Sequence, residues 1–143
     1  MKKKLLSLLL LFTAVASIAQ VTITPSSFNV TDQITITVST AAQACNLMGT
    51  TPTKVYMHAG IGDDSNTFGF SVVGNWGQDD SVGLMTNNGN GTWSITLTPS
   101  TYFGLNGTQQ ANATKLGMVF RNANGSQTLK LPPSCGDFIF NVG

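Results

Sequence analysis

From Val21 onward, apolar and polar residues alternate in short runs. Val21-Thr22-Ile23-Thr24 alternates until Pro25 breaks it, and Gln33 to Val38 alternates strictly, with Ile34, Ile36 and Val38 on one face. Lys54 to Ala59, Gly91 to Thr98, Lys115 to Arg121 and Asp137 to Val142 continue the pattern. Shorter runs at Phe68 to Val73 and Gln127 to Leu131 read as edge strands. Period-two alternation rich in β-branched residues and bounded by Gly, Pro and Asn predicts strands. A single helical turn is expected near Ser100-Thr101-Tyr102-Phe103, after Pro99, and no longer helical stripe follows residue 19. Several short strands in one chain of 143 residues predict an all-β fold, an immunoglobulin-like antiparallel β-sandwich with one core.

The first residues follow a different pattern. Met1-Lys2-Lys3-Lys4 is a basic start, Leu5 to Ile18 is apolar, and Ala19 supplies the small residue of a cleavage site. Residues 1–19 therefore read as a cleaved signal peptide and residues 20–143 as the β-sandwich. The apolar run is short for a membrane span and no second one follows, so a secreted or periplasmic protein without a membrane span is expected.

Cleavage alters the charge. The formal +1 of the whole chain includes Lys2, Lys3 and Lys4, so their loss leaves −2. Lys54, Lys115, Arg121 and Lys130 then stand against Asp32, Asp63, Asp64, Asp79, Asp80 and Asp137, and Glu is absent. No basic stretch remains to neutralise phosphates, so no nucleic-acid partner is expected. The Thr-, Ser-, Asn- and Gln-rich surface suits hydroxyl-rich partners better than charged ones. Five Asn-x-Ser/Thr sequons, at Asn29, Asn90, Asn106, Asn112 and Asn124, reflect the same composition. Cys45 and Cys135 form a disulfide in an oxidising compartment or stay as two thiols, and the compartment favours the bridge. Closing so long a loop stabilises by about 4 kcal/mol in the chain-entropy account.

Little in the chain fits catalysis. The adjacent pairs Asp63-Asp64 and Asp79-Asp80 lie in Gly- and Asn-rich loops, where Asp is an ordinary turn residue. Neighbours in extended chain point apart, so neither pair makes an acid/base couple. His58 is the only histidine, and no G-x-S-x-G elbow accompanies it. The four aspartates also lack the spacing of a calcium loop. A non-catalytic protein with no metal and no cofactor is expected.

The aromatic residues divide into two groups. Trp93 shares a face with Ile95 and Leu97 and reads as core. Trp76 lies in Gly74-Asn75-Trp76-Gly77-Gln78, either as a lid over the core or as an exposed stacking surface. An exposed aromatic face can meet the apolar C–H groups of a sugar ring. On the third strand Val55, Met57 and Ala59 make the better core face, which turns Tyr56 and His58 outward. Alternatively, both pack under a loop with one hydrogen bond each. After the fifth strand, Arg121, Asn122 and Asn124 crowd polar groups into a turn for which Asn124-Gly125 alone would suffice.

Taken in order, these segments resemble a known family. They are Val55-Tyr56-Met57-His58-Ala59-Gly60, Asn75-Trp76-Gly77, Gly83-Leu84-Met85-Thr86, Gly91-Thr92-Trp93-Ser94-Ile95, Pro99 to Gly104, Leu116 to Ser126 and Asp137 to Phe140. The pattern is similar to the starch-binding carbohydrate-binding modules of secreted Bacteroidota amylases and related proteins, over about Thr53 to Val142. In such modules an aromatic or His on the third strand and a Trp in the following loop form a sugar platform. Polar residues after the Val-Phe strand bond glucose hydroxyls. The resemblance therefore implies an α-glucan as partner, with Tyr56, His58, Trp76, Arg121, Asn122 and Asn124 as its site. It departs at Gln127-Thr128-Leu129-Lys130, where relatives often carry a second tryptophan. The competing expectation is a structural or adhesive immunoglobulin-like module without a sugar site.

Overall fold

The computed structural model describes residues 20–41 and 44–143. The expected signal peptide, residues 1–19, lies outside the described residues. Among the described residues, nine strands form two antiparallel sheets. They are β1 (Val21–Thr24), β2 (Ile34–Ser39), β3 (Tyr56–Gly62), β4 (Ser71–Val73), β5 (Thr86–Asn87), β6 (Thr92–Leu97), β7 (Lys115–Arg121), β8 (Thr128–Leu129) and β9 (Phe138–Asn141). One sheet has the order β1-β2-β6-β5; the other runs β4-β3-β7-β8, with β9 also paired to β7. This is the strand order of an immunoglobulin-type sandwich with an added edge strand.

The alternation of the first sheet explains its packing. Ile34, Ile36 and Val38 face the partner sheet, opposite Leu97, Ile95 and Trp93 of β6. Their Thr neighbours point outward, and Thr35 bonds Thr96 across the strands at 2.8 Å. The second sheet supplies Met57, Ala59 and Ile61 from β3 and Leu116, Met118 and Phe120 from β7, all buried. Full burial of each large apolar side chain contributes about 1.5–3 kcal/mol, before the entropy of ordering it. Cys45 and Cys135 are disulfide-bonded, with Cα atoms 5.4 Å apart.

The expected strands are present, β1 and β7 with the expected bounds and the others with ends displaced by up to three residues. The turn after Pro99 is α1 (Pro99–Tyr102). A second helix, α2 (Gly107–Asn112), was not anticipated. It is too short to show an apolar stripe, and none of its residues is buried. Its signal is a capping box: the Asn106 side chain accepts from the Gln109 N–H, and the Gln109 side chain accepts from the Asn106 N–H. β5, only two residues long, was likewise too short to register as alternation.

Candidate functional site

Tyr56 and His58 do turn away from the core shared by Met57 and Ala59, but that outer face is itself covered near Tyr56. The chain from Gly74 to Leu84 folds over it, and Leu84 bridges to Tyr56. Gly83, at φ +79°, makes this approach possible: a Cβ there would stand 2.2 Å from the Met57 carbonyl oxygen. Tyr56 is consequently only 1% exposed. Its hydroxyl donates to the Asp79 carboxylate, which also accepts from Lys54 Nζ at 2.9 and 3.0 Å. The bond to Asp79, and then burial, push the Tyr56 phenol above its usual pKa, while Tyr56 and Lys54 hold Asp79 below the usual carboxylate range.

Arg121 pairs with Tyr56 across β3 and β7 and is also only 1% exposed. One terminal nitrogen of its guanidinium donates to the Asn122 and Ala123 carbonyls at 3.1 and 3.0 Å. The other donates to the Asn75 and Gln78 carbonyls at 2.9 and 3.0 Å. Its Cζ lies 4.5 Å from the Tyr56 ring centroid and 5.8 Å from that of Trp76. Tyr56 and Arg121, both expected as sugar contacts, are thus buried in this structure. The Trp76 loop closes over their row and accepts from one terminal nitrogen of Arg121, the turn after β7 accepts from the other, and Nε has no hydrogen-bond partner.

What this row supports is exposed. Trp76 is 46% exposed, the highest figure of any aromatic residue among the described ones. The His58 ring meets it at 5.3 Å between centroids, with planes at 80°. Gly125, at φ +72°, lies beside the indole, where a Cβ would stand 2.7 Å from Trp76 Nε1. The loop is closed by a bond from Asn75 Nδ2 to Asp80 Oδ2 at 2.6 Å and one from the Gln78 N–H to the Asn75 carbonyl at 3.0 Å. His58 is half-buried, and its Nδ1 has no hydrogen-bond partner. Burial, and then the Arg121 charge, lower its pKa below 6.5, which favours the neutral imidazole at neutral pH.

The polar turn divides in the same way. Asn122 braces its own turn: Oδ1 accepts from the Gln127 N–H at 3.1 Å, and Nδ2 donates to Ser126 and Gln127 at 3.2 and 3.3 Å. Asn124 is exposed and accepts from the Ser126 N–H and hydroxyl at 3.1 and 2.6 Å. Among the described residues, its amide nitrogen has no hydrogen-bond partner. The structure thus brings Trp76, His58 and Asn124 together at one surface. Beneath and beside them, Tyr56, Arg121 and Asn122 act as supports.

The aspartates have other partners. Asp63 closes a turn by accepting from the Ser65 and Asn66 N–H groups, and Asp64 accepts from the Thr114 hydroxyl. They edge a cavity of about 530 Å³ beside α2, whose lining Gln109 and Asn112 amides bond backbone carbonyls. Among the described residues, no cluster of three His, Cys, Asp or Glu side chains could hold a metal ion. No helix among them is long and apolar enough to cross a membrane.

Fold and site together define an antiparallel β-sandwich of immunoglobulin type that presents one loop tryptophan on the outer face of its second sheet. The chain belongs to the family described as domain of unknown function DUF8578, whose family model matches residues 21–129. The matched span contains every residue from Tyr56 to Asn124 and ends before Cys135. No curated protein matches the sequence.

Proposed function

We propose that the protein is a non-catalytic carbohydrate-binding module of an exported protein, and that it binds starch or a related α-glucan at Trp76. The observation that carries this reading is the way Trp76 is held. A buried arginine donates all four of its hydrogen bonds to the two turns that flank an indole left nearly half in solvent. Such a support fixes an aromatic face in place before a ligand arrives, so less conformational freedom is lost on binding. Asn124 is exposed on the turn that brings Gly125 beside the indole, where its amide could meet hydroxyl groups. A module resembling starch-binding domains would use such a surface.

The charged groups argue for binding rather than turnover. Asp79 is engaged by Lys54 and Tyr56, Asp80 by Asn75, and Asp63 by its own turn, while His58 bonds no carboxylate. The disulfide fits an oxidising compartment. A shallow platform of this kind gives dissociation constants from micromolar to millimolar, about −8 to −4 kcal/mol.

Affinity electrophoresis in gels cast with amylopectin tests the proposal. The native protein should be retarded in proportion to the polysaccharide, and Trp76→Ala should migrate as in a plain gel. Equal mobility of the two in both gels would overturn it.

A further inference from the structure

Gly60 and Gly117 face each other across β3 and β7, at the centre of the second sheet. Neither has a positive φ, so the backbone does not require glycine at either position. Glycine inside a strand weakens it and often marks a close approach from above. Here the approach is made by Phe68. A Cβ on Gly60 would stand 2.3 Å from Phe68 Cδ1, and one on Gly117 would stand 2.8 Å from Phe68 Cζ and from Thr67 Cγ2. The ring therefore lies across both strands, in the notch that the two missing side chains leave.

The same outer face continues to Trp76. Gly60 pairs with Val72 and Gly117 with Ile139, which flank Phe68 and are 48% and 51% exposed. Two residues along the strands, His58 pairs with Val119, and the His58 ring meets Trp76. Two strand residues span about 7 Å, so Phe68 lies one pleat repeat beyond His58. Lys115, bonded to Asn141, bounds this surface at one end, and the Tyr56–Arg121 pair bounds it at the other. The strand positions between them carry no charge except what His58 acquires in acid. An uncharged chain fits such a face, and a charged one finds no counter-ion at the positions between those bounds.

We propose that Phe68 is a second stacking subsite, and that the ligand is an extended α-glucan chain running from Trp76 past the half-buried His58 to the half-buried Phe68. This rests on the reading of Trp76 as a sugar platform and extends it from a single ring to a run of several glucose units. The loop that delivers Phe68 is fixed by the Asp63 turn and by the Phe70 N–H, which donates to the Ile61 carbonyl at 3.0 Å. Both rings are thus in place before the chain arrives.

Calorimetric titration with maltose, maltotetraose and maltohexaose, on the native protein, Phe68→Ala, Phe68→Leu and Trp76→Ala, separates the possibilities. The native protein should gain about threefold to tenfold in affinity from maltose to the longer chains, the worth of one aromatic contact. Phe68→Leu still fills the notch but lacks the ring, so it should bind maltose normally and lose that gain, as should Phe68→Ala. Trp76→Ala should bind none of the three. An unchanged length dependence in both Phe68 variants would overturn the second subsite and leave the Trp76 platform standing. Equal loss of maltose binding in both variants would overturn it too, by showing that Phe68 only supports the loop. No binding of any oligosaccharide by the native protein would instead overturn the platform itself.

Discussion

Arg121→Lys keeps the charge and removes the geometry. Arginine reaches four carbonyls because its planar guanidinium points two nitrogens at two different turns. An ammonium is one point, and it can serve the Asn75–Gln78 pair or the Asn122–Ala123 pair, not both. At least two hydrogen bonds from a charged donor are lost. Each contributes about 1.5–3 kcal/mol, so the lower bound of the destabilisation is about 3 kcal/mol. For a sandwich of roughly 120 residues the unfolding entropy is about 0.25 kcal/mol/K, and the melting temperature should fall by about 12 °C. Acrylamide quenching reads the local consequence, because Trp93 is buried and Trp76 supplies nearly all of the quenchable emission. Freed from one anchor, Trp76 should become more accessible. A melting temperature within about 4 °C of the native value (~1 kcal/mol), with unchanged quenching, would refute the account of Arg121 as the pin of the platform.

Three further outcomes follow from the same geometry. His58 has a lowered pKa, so between that value and 6.5 the unfolded chain binds more protons than the folded one. Its contribution is complete above pH 6.5 and is lost as pH falls through that window; urea midpoints should drop from pH 7.5 to 5.5 in the native protein and stay flatter in His58→Gln. Gly74, at φ +151°, leaves room for His58, since a Cβ there would stand 2.1 Å from Nδ1. Gly74→Ala should therefore destabilise by about 1–3 kcal/mol, and His58→Ala should relieve part of that loss in a double-mutant cycle measured by thermal unfolding. Reduction of Cys45–Cys135, 90 residues apart, should lower stability by up to about 4.6 kcal/mol, with the mass rising by two hydrogens.

Fold class was legible because each sheet has one face on a shared core. Ile34, Ile36 and Val38 alternate with threonines that see solvent, and period two survives in the sequence. β7 was located correctly even though its outer positions are buried too, because its β-branched and aromatic content persists. α2 escaped detection for the opposite reason. It buries nothing, so no hydrophobic stripe exists to be read, and only the Asn106–Gln109 box betrays it.

The site was legible in location and not in role. Alternation places Tyr56, His58, Gly60, Arg121, Val119 and Gly117 on one face, and that much follows from counting. Whether a position on that face sees solvent depends on what lies above it, and loops carry no period. The loop at Gly74 to Leu84 covers the Tyr56–Arg121 row, and the loop at 63–70 brings Phe68 over the glycine row. In the row between them Val119 is buried and the His58 ring meets Trp76. A glycine within an alternating run is the one sequence mark of such a cover. Gly60 and Gly117 both stand within strands and at matched register, with no turn to explain them. Two unexplained glycines on paired strands point to a ring above them, and the aromatic residues of the loop between β3 and β4 are Phe68 and Phe70. Phe70 packs against the core, which leaves Phe68.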